Sequence, residues 1–421
     1  MHKQPITLAR VLRIVGLAFH CATLLVLAGG IIPLWRLKTG HTVDPEEGDF
    51  VQRVLVLILL SGAIVAAVRT PRQLFTMMQS SDLLVLGLVA LAFVSVAWSV
   101  APEVTLRRAV SLTLTAVYGL ALAYRYHPST VLHLVTFSLG VIVALSLLLV
   151  FFVPDWGVMS SPHQGSWQGV FVHKNLLGRW SAITILLGAS LLFGANRRIK
   201  FIAGILMGLS TCALLGSRAV APLVALAPAA LVPLILMLWR RSRWWQVALI
   251  LETPLVAILI GVLIFVYRDA ILSWLGRDAT LTGRTYLWSA LIPFITQRWI
   301  AGYGYGAFWL GQNATSGIVW SLAWQAPHAH NFWLDVLLDT GILGLVLWSG
   351  LLALAVRRAL KVPKSDSTRP PAIFGLSFVL FAVIYGIGES TLLRWGSLGT
   401  VLLIWTLSWP RNHISMAGIR H

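Results

Sequence analysis

Charge is scarce in this chain of 421 residues. Asp, Glu, Lys and Arg together make up 11%, and only 14 residues are acidic. So little charge on a chain that is 58% hydrophobic excludes an ordinary soluble domain. Cysteine is nearly absent. Cys21 and Cys212 both fall in apolar segments, which excludes a disulfide framework or a thiolate metal cluster and leaves two small core residues. No P-loop, no H-E-x-x-H and no G-x-S-x-G is present, so nucleotide-driven, zinc-protease and serine-hydrolase chemistries have no motif to stand on. Neither an alternating polar/apolar pattern nor an internal repeat is visible, which argues against a barrel and gives no sign of a two-fold repeated transporter. Behind the basic start (Lys3, Arg10, Arg13) no A-x-A-like cleavage site follows, so the first apolar run reads as a retained span.

What is present is apolar sequence in long runs, with a mean hydropathy of +0.83. In hydrocarbon every backbone polar group must pair within its own segment, so the runs are expected to be helices. The pattern predicts an all-α polytopic membrane protein with twelve spans, at 11–32, 53–68, 82–99, 109–124, 131–153, 176–194, 201–216, 219–238, 246–267, 331–356, 372–388 and 392–409. They form a single transmembrane domain over 1–421, with 268–330 a long loop on one face.

The net charge of +18 would suit nucleic acid, but its distribution does not. More than half of the 32 basic residues sit in alternate short loops: Lys3/Arg10/Arg13, Arg69/Arg72, Arg125, Arg197/Arg198/Lys200, Arg240/Arg241/Arg243, Arg357/Arg358/Lys361/Lys364/Arg369 and Arg411/Arg420. The positive-inside rule places that face, and both termini, in the cytoplasm. The other face carries the long loops 33–52, 154–175 and 268–330. It also keeps Arg107, Arg108, Lys174, Arg179, Arg218, Arg284 and Arg394. Cations that do not help orientation imply an anionic partner outside, or else they snorkel to lipid headgroups.

Five stretches concentrate polar chemistry there. Pro327-His328-Ala329-His330-Asn331-Phe332-Trp333 opens the span that runs to Gly341-Ile342-Leu343-Gly344. Pro327 suits a helix start, which would put His330 in the first turn, where the helix dipole favours the neutral imidazole that a general base requires. At 100° per residue Gly341 and Gly344 share the His330 stripe, as small residues do where helices approach closely. Asp335 and Asp339 fall roughly opposite and are poor candidates to orient His330 through its own helix. His173-Lys174-Asn175, with Arg179 further along, stands at the start of another span and could meet a pyrophosphate. Gly216-Ser217-Arg218 breaks two spans and combines free backbone groups with a cation. Thr282-Gly283-Arg284-Thr285 leads into an interfacial amphipathic helix (Trp288, Leu291/Ile292, Ile295, with a bend at Pro293), followed by Gly302-Tyr303-Gly304-Tyr305-Gly306-Ala307-Phe308-Trp309, a loop whose aromatics could stack on sugars. Glu389, before Arg394 in the last outer turn, could pair with Arg394 or another rim arginine. Capped helix ends, a short turn and an aromatic belt are the plainer alternatives for these stretches. The acidic run Asp44–Asp49 could bind a divalent cation or be a solvated loop; the reading needs no metal and no other cofactor.

His330-Asn331 followed by Gly341-Ile342-Leu343-Gly344 resembles the motif of the O-antigen ligase and Wzy-type polysaccharide polymerase superfamily. Taken in order, the His173-Lys174-Asn175, Ser217-Arg218, Thr282–Trp288 and Gly304–Trp309 stretches resemble its exopolysaccharide polymerase branch, over roughly 165–345. The resemblance implies a glycosyltransferase of the GT-C type at the periplasmic face of the bacterial inner membrane. Its donor would be a glycan on undecaprenyl diphosphate, and its acceptor a glycan or lipid-linked glycan; nucleic acid has no part. By position, His330 matches the family's base, and Arg218 and Arg284 match arginines that hold the donor diphosphate. Lys174, Arg179, His173, Asn175, His328, Asn331 and Arg394 are added as substrate contacts. The short Phe308–His328 segment, where many ligases carry more chain, favours a polymerase of lipid-linked repeat units. A ligase acting on lipid A-core or another acceptor is the alternative, and a glycolipid transporter or flippase is the reading from another class.

Overall fold

A computed structural model describes residues 8–30, 32–40, 50–67, 79, 82–160, 163–194, 196–242, 244, 283–310, 317, 319, 326–360 and 367–408. Among the described residues the fold is all-α, with one isolated bridge between Val158 and Trp167. The helices are α1 (Leu8–Leu27), α2 (Ile32–Lys38), α3 (Phe50–Ala67), α4 (Asp82–Val94), α5 (Pro102–Arg125), α6 (Pro128–Phe152), the single turn α7 (Pro154–Gly157), α8 (Lys174–Leu191), α9 (Arg197–Ser217), α10 (Val220–Arg241), α11 (Arg284–Gln297), α12 (Phe332–Leu360), α13 (Arg369–Gly388) and α14 (Leu398–Ser408). A 3-10 turn, Ser95–Trp98, prolongs α4.

Eleven of the twelve expected spans fall on these helices; 246–267 lies outside the described residues, as does the acidic run 44–49. Five helices are long and apolar enough to cross a membrane: α5, α6, α9, α12 and α13. Shorter apolar helices accompany them. Two ends are shorter than expected. The first span stops at Leu27, and the chain turns at Gly29 before α2. The last begins at Leu398, because residues 389–397 form a turn that carries Glu389 and Arg394.

Large apolar side chains face outward, including Phe137, Phe152, Val65 and Phe201, as hydrocarbon surroundings favour. Trp180, Tyr118, Phe374, Phe378 and Trp405 fill the interior. Buried hydroxyls spend their hydrogen on the preceding helical turn: Thr136 donates to Leu132 O, Ser138 to Leu134 O and Thr184 to Trp180 O. That satisfies them without breaking the helices.

Helix ends gather in two polar layers. At one end Ser408 Oγ donates to Asp82 Oδ1 at 2.6 Å, Tyr124 also donates to Asp82, and Arg358 donates to Gln79 Oε1 at 2.6 Å. At the other end lie the starts of α5, α8, α10, α11 and α12, the C-terminus of α13 and the loops between them.

The Gly341 segment differs from expectation. Instead of packing helix on helix, α12 breaks there, with Gly341 at φ 62°, ψ −155°. Residues 299–304 fill the break. Tyr303 N–H donates to Leu338 O, Gly304 N–H to Asp339 O, and Ile342 N–H to Trp299 O, at 2.8, 3.0 and 2.9 Å. A Cβ at Gly341 would lie 2.3 Å from Ile300 O. Only glycine fits both the dihedral and the space.

Candidate active site

The helix α12 starts at Phe332, one turn later than Pro327 suggests. Asn331 caps it: its Oδ1 accepts the N–H groups of Trp333 and Leu334 at 3.0 and 3.3 Å. His330 is therefore not in the first turn. It sits in the loop before the cap, in the left-handed region at φ 49°. Pro327 is exposed, outside the helix. Among the described residues, the non-glycine residues with positive φ are His330 and Arg218. Such a backbone costs about 1 kcal/mol or more and persists only where surrounding contacts over-determine it. Both strained positions are residues already singled out from the sequence.

The centre of the site is Glu389, the residue after α13. It is 4% exposed. Its Oε1 accepts from Arg284 Nη2 at 3.0 Å and from Asn175 Nδ2 at 2.7 Å. Its Oε2 lies 3.5 Å from His330 Nδ1. Arg284, first residue of α11, also donates to Gly388 O. Three separate elements thus deliver His330, Arg284 and Asn175 to the Glu389 carboxylate. Burial pushes that carboxyl upward, but the His330 hydrogen bond and the charges of His330 and Arg284 outweigh it, so it is held below the usual carboxylate range. A pairing of Glu389 with a rim arginine was legible in the sequence; its partner is Arg284, not Arg394.

Around this centre the other expected residues divide. The His328 ring lies tilted against the His330 ring, 4.0 Å between centroids. Lys174, buried at the start of α8, donates to Arg218 O at 3.4 Å. Arg218, the left-handed C-cap of α9, is itself exposed. Arg179 is turned into the interior: it is 4% exposed, lies over the Trp180 ring and donates to Thr391 Oγ1 at 2.6 Å. Arg394 lies on the other flank of the histidine loop, paired with Asp335 Oδ2 at 3.0 Å. Asp335, set aside on helical periodicity, is in fact part of the site's frame. The aromatic loop is not a sugar platform: Tyr303, Tyr305, Phe308 and Trp309 are all buried.

Two imidazoles are held in a defined form. His173 Nδ1 accepts Asn175 N–H at 3.2 Å, and His328 Nδ1 accepts His330 N–H at 3.1 Å. Each Nδ1 must be unprotonated to do so. Burial lowers His173 to about 4; burial, with the charges of His330 and Arg394, holds His328 well below the usual histidine value. Since an unfolded histidine titrates near ~6.5, the unfolded chain binds more protons than the folded one between that value and about 4. Stability therefore falls as the pH is lowered through this window. Melting temperatures measured across it are expected to decline. His173→Asn, which keeps an N-cap acceptor but cannot titrate, should give a shallower decline; an unchanged slope would contradict the assignment.

His328, His330 and Glu389 each offer a ligand atom, all within 4.8 Å of one another. The Arg284 guanidinium lies 3.0 Å from the same carboxylate.

The fold and site define a membrane-embedded centre in which imidazole, carboxylate and guanidinium groups meet at one end of a helical bundle. Comparison with known proteins agrees with the motifs. Residues 203–349 match the family described as O-antigen ligase. That stretch contains Arg218, Arg284, His328, His330 and Gly341, but not Lys174 or Glu389. The exopolysaccharide production protein ExoQ of Rhizobium meliloti (strain 1021) is 26% identical over 356 residues, 79% of this chain and 78% of that protein. The resemblance to the O-antigen ligase and Wzy-type polymerase superfamily is thereby borne out.

Proposed function

We propose that the protein is a glycosyltransferase that moves a glycan from undecaprenyl diphosphate to an acceptor hydroxyl, polymerising lipid-linked repeat units. The site faces the periplasm of a bacterial inner membrane, with both termini cytoplasmic, in a twelve-span architecture of the GT-C type. The observation that carries this reading is the convergence of His330 and Arg284 on Glu389, beside Arg218 and Lys174 at the same end of the bundle. The similarity to an exopolysaccharide production protein supports polysaccharide synthesis, and the short Phe308–His328 segment favours polymerisation over ligation. The alternation of the cationic loops supports the orientation.

In this mechanism His330 Nδ1 is held toward Glu389 and Nε2 takes the acceptor proton. The acceptor oxygen attacks the anomeric carbon, the bond from that carbon to the diphosphate breaks, and the electron pair leaves on the diphosphate. Glu389 fixes the ring and stabilises the imidazolium that forms, as the carboxylate does in a Ser-His-Asp triad. The 3.5 Å separation is long for a free site and is expected to tighten around substrate. Arg218 and Arg284 meet the charge that grows on the departing phosphate. A single displacement of this kind inverts the anomeric carbon and needs no metal.

The deciding assay gives purified protein in detergent a glycan on lipid diphosphate. Released undecaprenyl diphosphate with a lengthened glycan is the expected result; transfer to lipid A-core alone would indicate a ligase, and no release at all would indicate a carrier. The two arginines should behave differently. Arg218 is exposed, so Arg218→Ala is expected to raise donor KM and lower kcat at least tenfold without loss of melting temperature. Arg284→Ala should show the same kinetic defect and a lower melting temperature, because it strands buried Glu389. Wild-type kinetics in both variants would remove the diphosphate clamp.

A further inference from the structure

We propose that Asp335 is a positioning residue for His330, acting through the backbone of Ala329. The assignment rests on His330 being the base, as proposed above.

Asp335 lies in the first turn of α12 and is 4% exposed. Its Oδ1 accepts Ala329 N–H at 3.0 Å and Trp309 Nε1–H at 2.7 Å. Its Oδ2 takes Arg394 Nη2 at 3.0 Å. Both oxygens are thus committed. The carbonyl of Ala329 is held in turn, by Trp288 Nε1–H at 2.9 Å. Ala329 itself is fully buried. The residue between the two histidines is therefore gripped at its N–H by α12 and at its C=O by α11.

That grip accounts for the left-handed backbone of His330. A histidine at φ 49° relaxes to an ordinary conformation unless its neighbours are fixed. With Ala329 clamped, the chain must turn through His330 to reach the Asn331 cap, and the turn aims the ring at Glu389. Asp335 also ties the loop to the opposite flank, because Arg394 belongs to the turn between α13 and α14 that begins with Glu389. The base and the carboxylate that orients it are thus referred to a common frame. A displacement of about 1 Å at such a centre can cost about a hundredfold in rate.

The expected result for Asp335→Ala is a kcat lower by about 30- to 1000-fold, with donor KM within about threefold. Asp335→Asn keeps a carbonyl oxygen for Ala329 and Trp309, and should retain kcat within about tenfold. Hydrogen exchange supplies a readout independent of turnover: the Ala329 amide should lose protection in Asp335→Ala and keep it in Asp335→Asn. Wild-type kcat in Asp335→Ala overturns the proposal. So does a kcat loss accompanied by equal weakening of donor binding and unchanged Ala329 protection, which would mark a merely structural role. Should Asp335→Ala not fold, Trp288→Phe removes only the other half of the clamp; a several-fold kcat loss at unchanged KM supports the proposal and unaltered kinetics overturns it. Activity in His330→Ala would sink the parent reading separately, whatever Asp335 does.

Discussion

His330→Ala should lose about 10²- to 10⁴-fold in kcat, the usual worth of a general base, while the protein stays folded and still binds donor. The structure explains why folding survives. Glu389 keeps Arg284 and Asn175 on its Oε1 when the imidazole is gone, so no buried charge is stranded. His330→Gly sharpens the test. Glycine occupies the left-handed region without penalty, so this variant should be equally inactive yet more stable than His330→Ala by about 1 kcal/mol. A rise in melting temperature together with a dead enzyme would mark the strain as kept for function. Donor binding by the purified variants, measured apart from turnover, separates loss of the base from loss of the site. Full turnover in His330→Ala would leave the mechanism without a base.

The second large effect belongs to Glu389. Its side chain is 5% exposed and Arg284's is 14% exposed, so removing the carboxylate leaves a largely buried guanidinium without its ion-pair partner. Breaking one side of a buried pair costs about 3–5 kcal/mol. Glu389→Ala is therefore expected to lower both stability and kcat, the latter about a hundredfold or more by analogy with triad carboxylates. Glu389→Gln is the discriminating variant. It keeps an acceptor for Asn175 and Arg284 and loses only charge, so its stability should fall less, while kcat should still drop at least tenfold because the imidazolium is no longer stabilised. Wild-type kcat in Glu389→Gln at neutral pH would confine Glu389 to a structural role. The acid limb follows from the direction of its shift. The folded carboxyl is held below the usual range, so its stabilising contribution is complete above the unfolded value of ~4.3 and is lost only as the pH falls through the lower folded value. Its protonation therefore leaves activity unaffected near neutrality.

Much of the site's membership was readable along the chain, because its parts are local patterns. His330-Asn331 precedes a glycine-broken apolar run, Ser217-Arg218 interrupts two spans, and Gly283-Arg284 opens an amphipathic segment. The errors were of one kind. Helical periodicity placed Asp335 and Asp339 away from His330, which is true for groups on one helix. But His330 lies outside the helix, and the loop folds back so that Asp335 holds Ala329. Pro327 looked like a first helical residue, but Asn331 supplies the cap. The aromatic loop looked like a sugar surface; its rings are buried instead, with Tyr303, Phe308 and Trp309 packed among Leu287, Leu291 and Leu338.

The sequence alone determined where the helices run, since apolar segments without water must satisfy their own backbone, and which loops carry the cations. It also determined the chemical types at the site, because each sits in a short motif of its own. Tertiary structure alone decided the partnerships. Glu389 meets Asn175 across 214 positions and Arg284 across 105, and nothing in a single chain's local pattern encodes which distant residue a buried carboxylate will find. That choice belongs to the packing of α8, α11, α12 and α13, where an unpaired charge is too costly to leave and the backbone bends at His330 to bring its ring to Glu389.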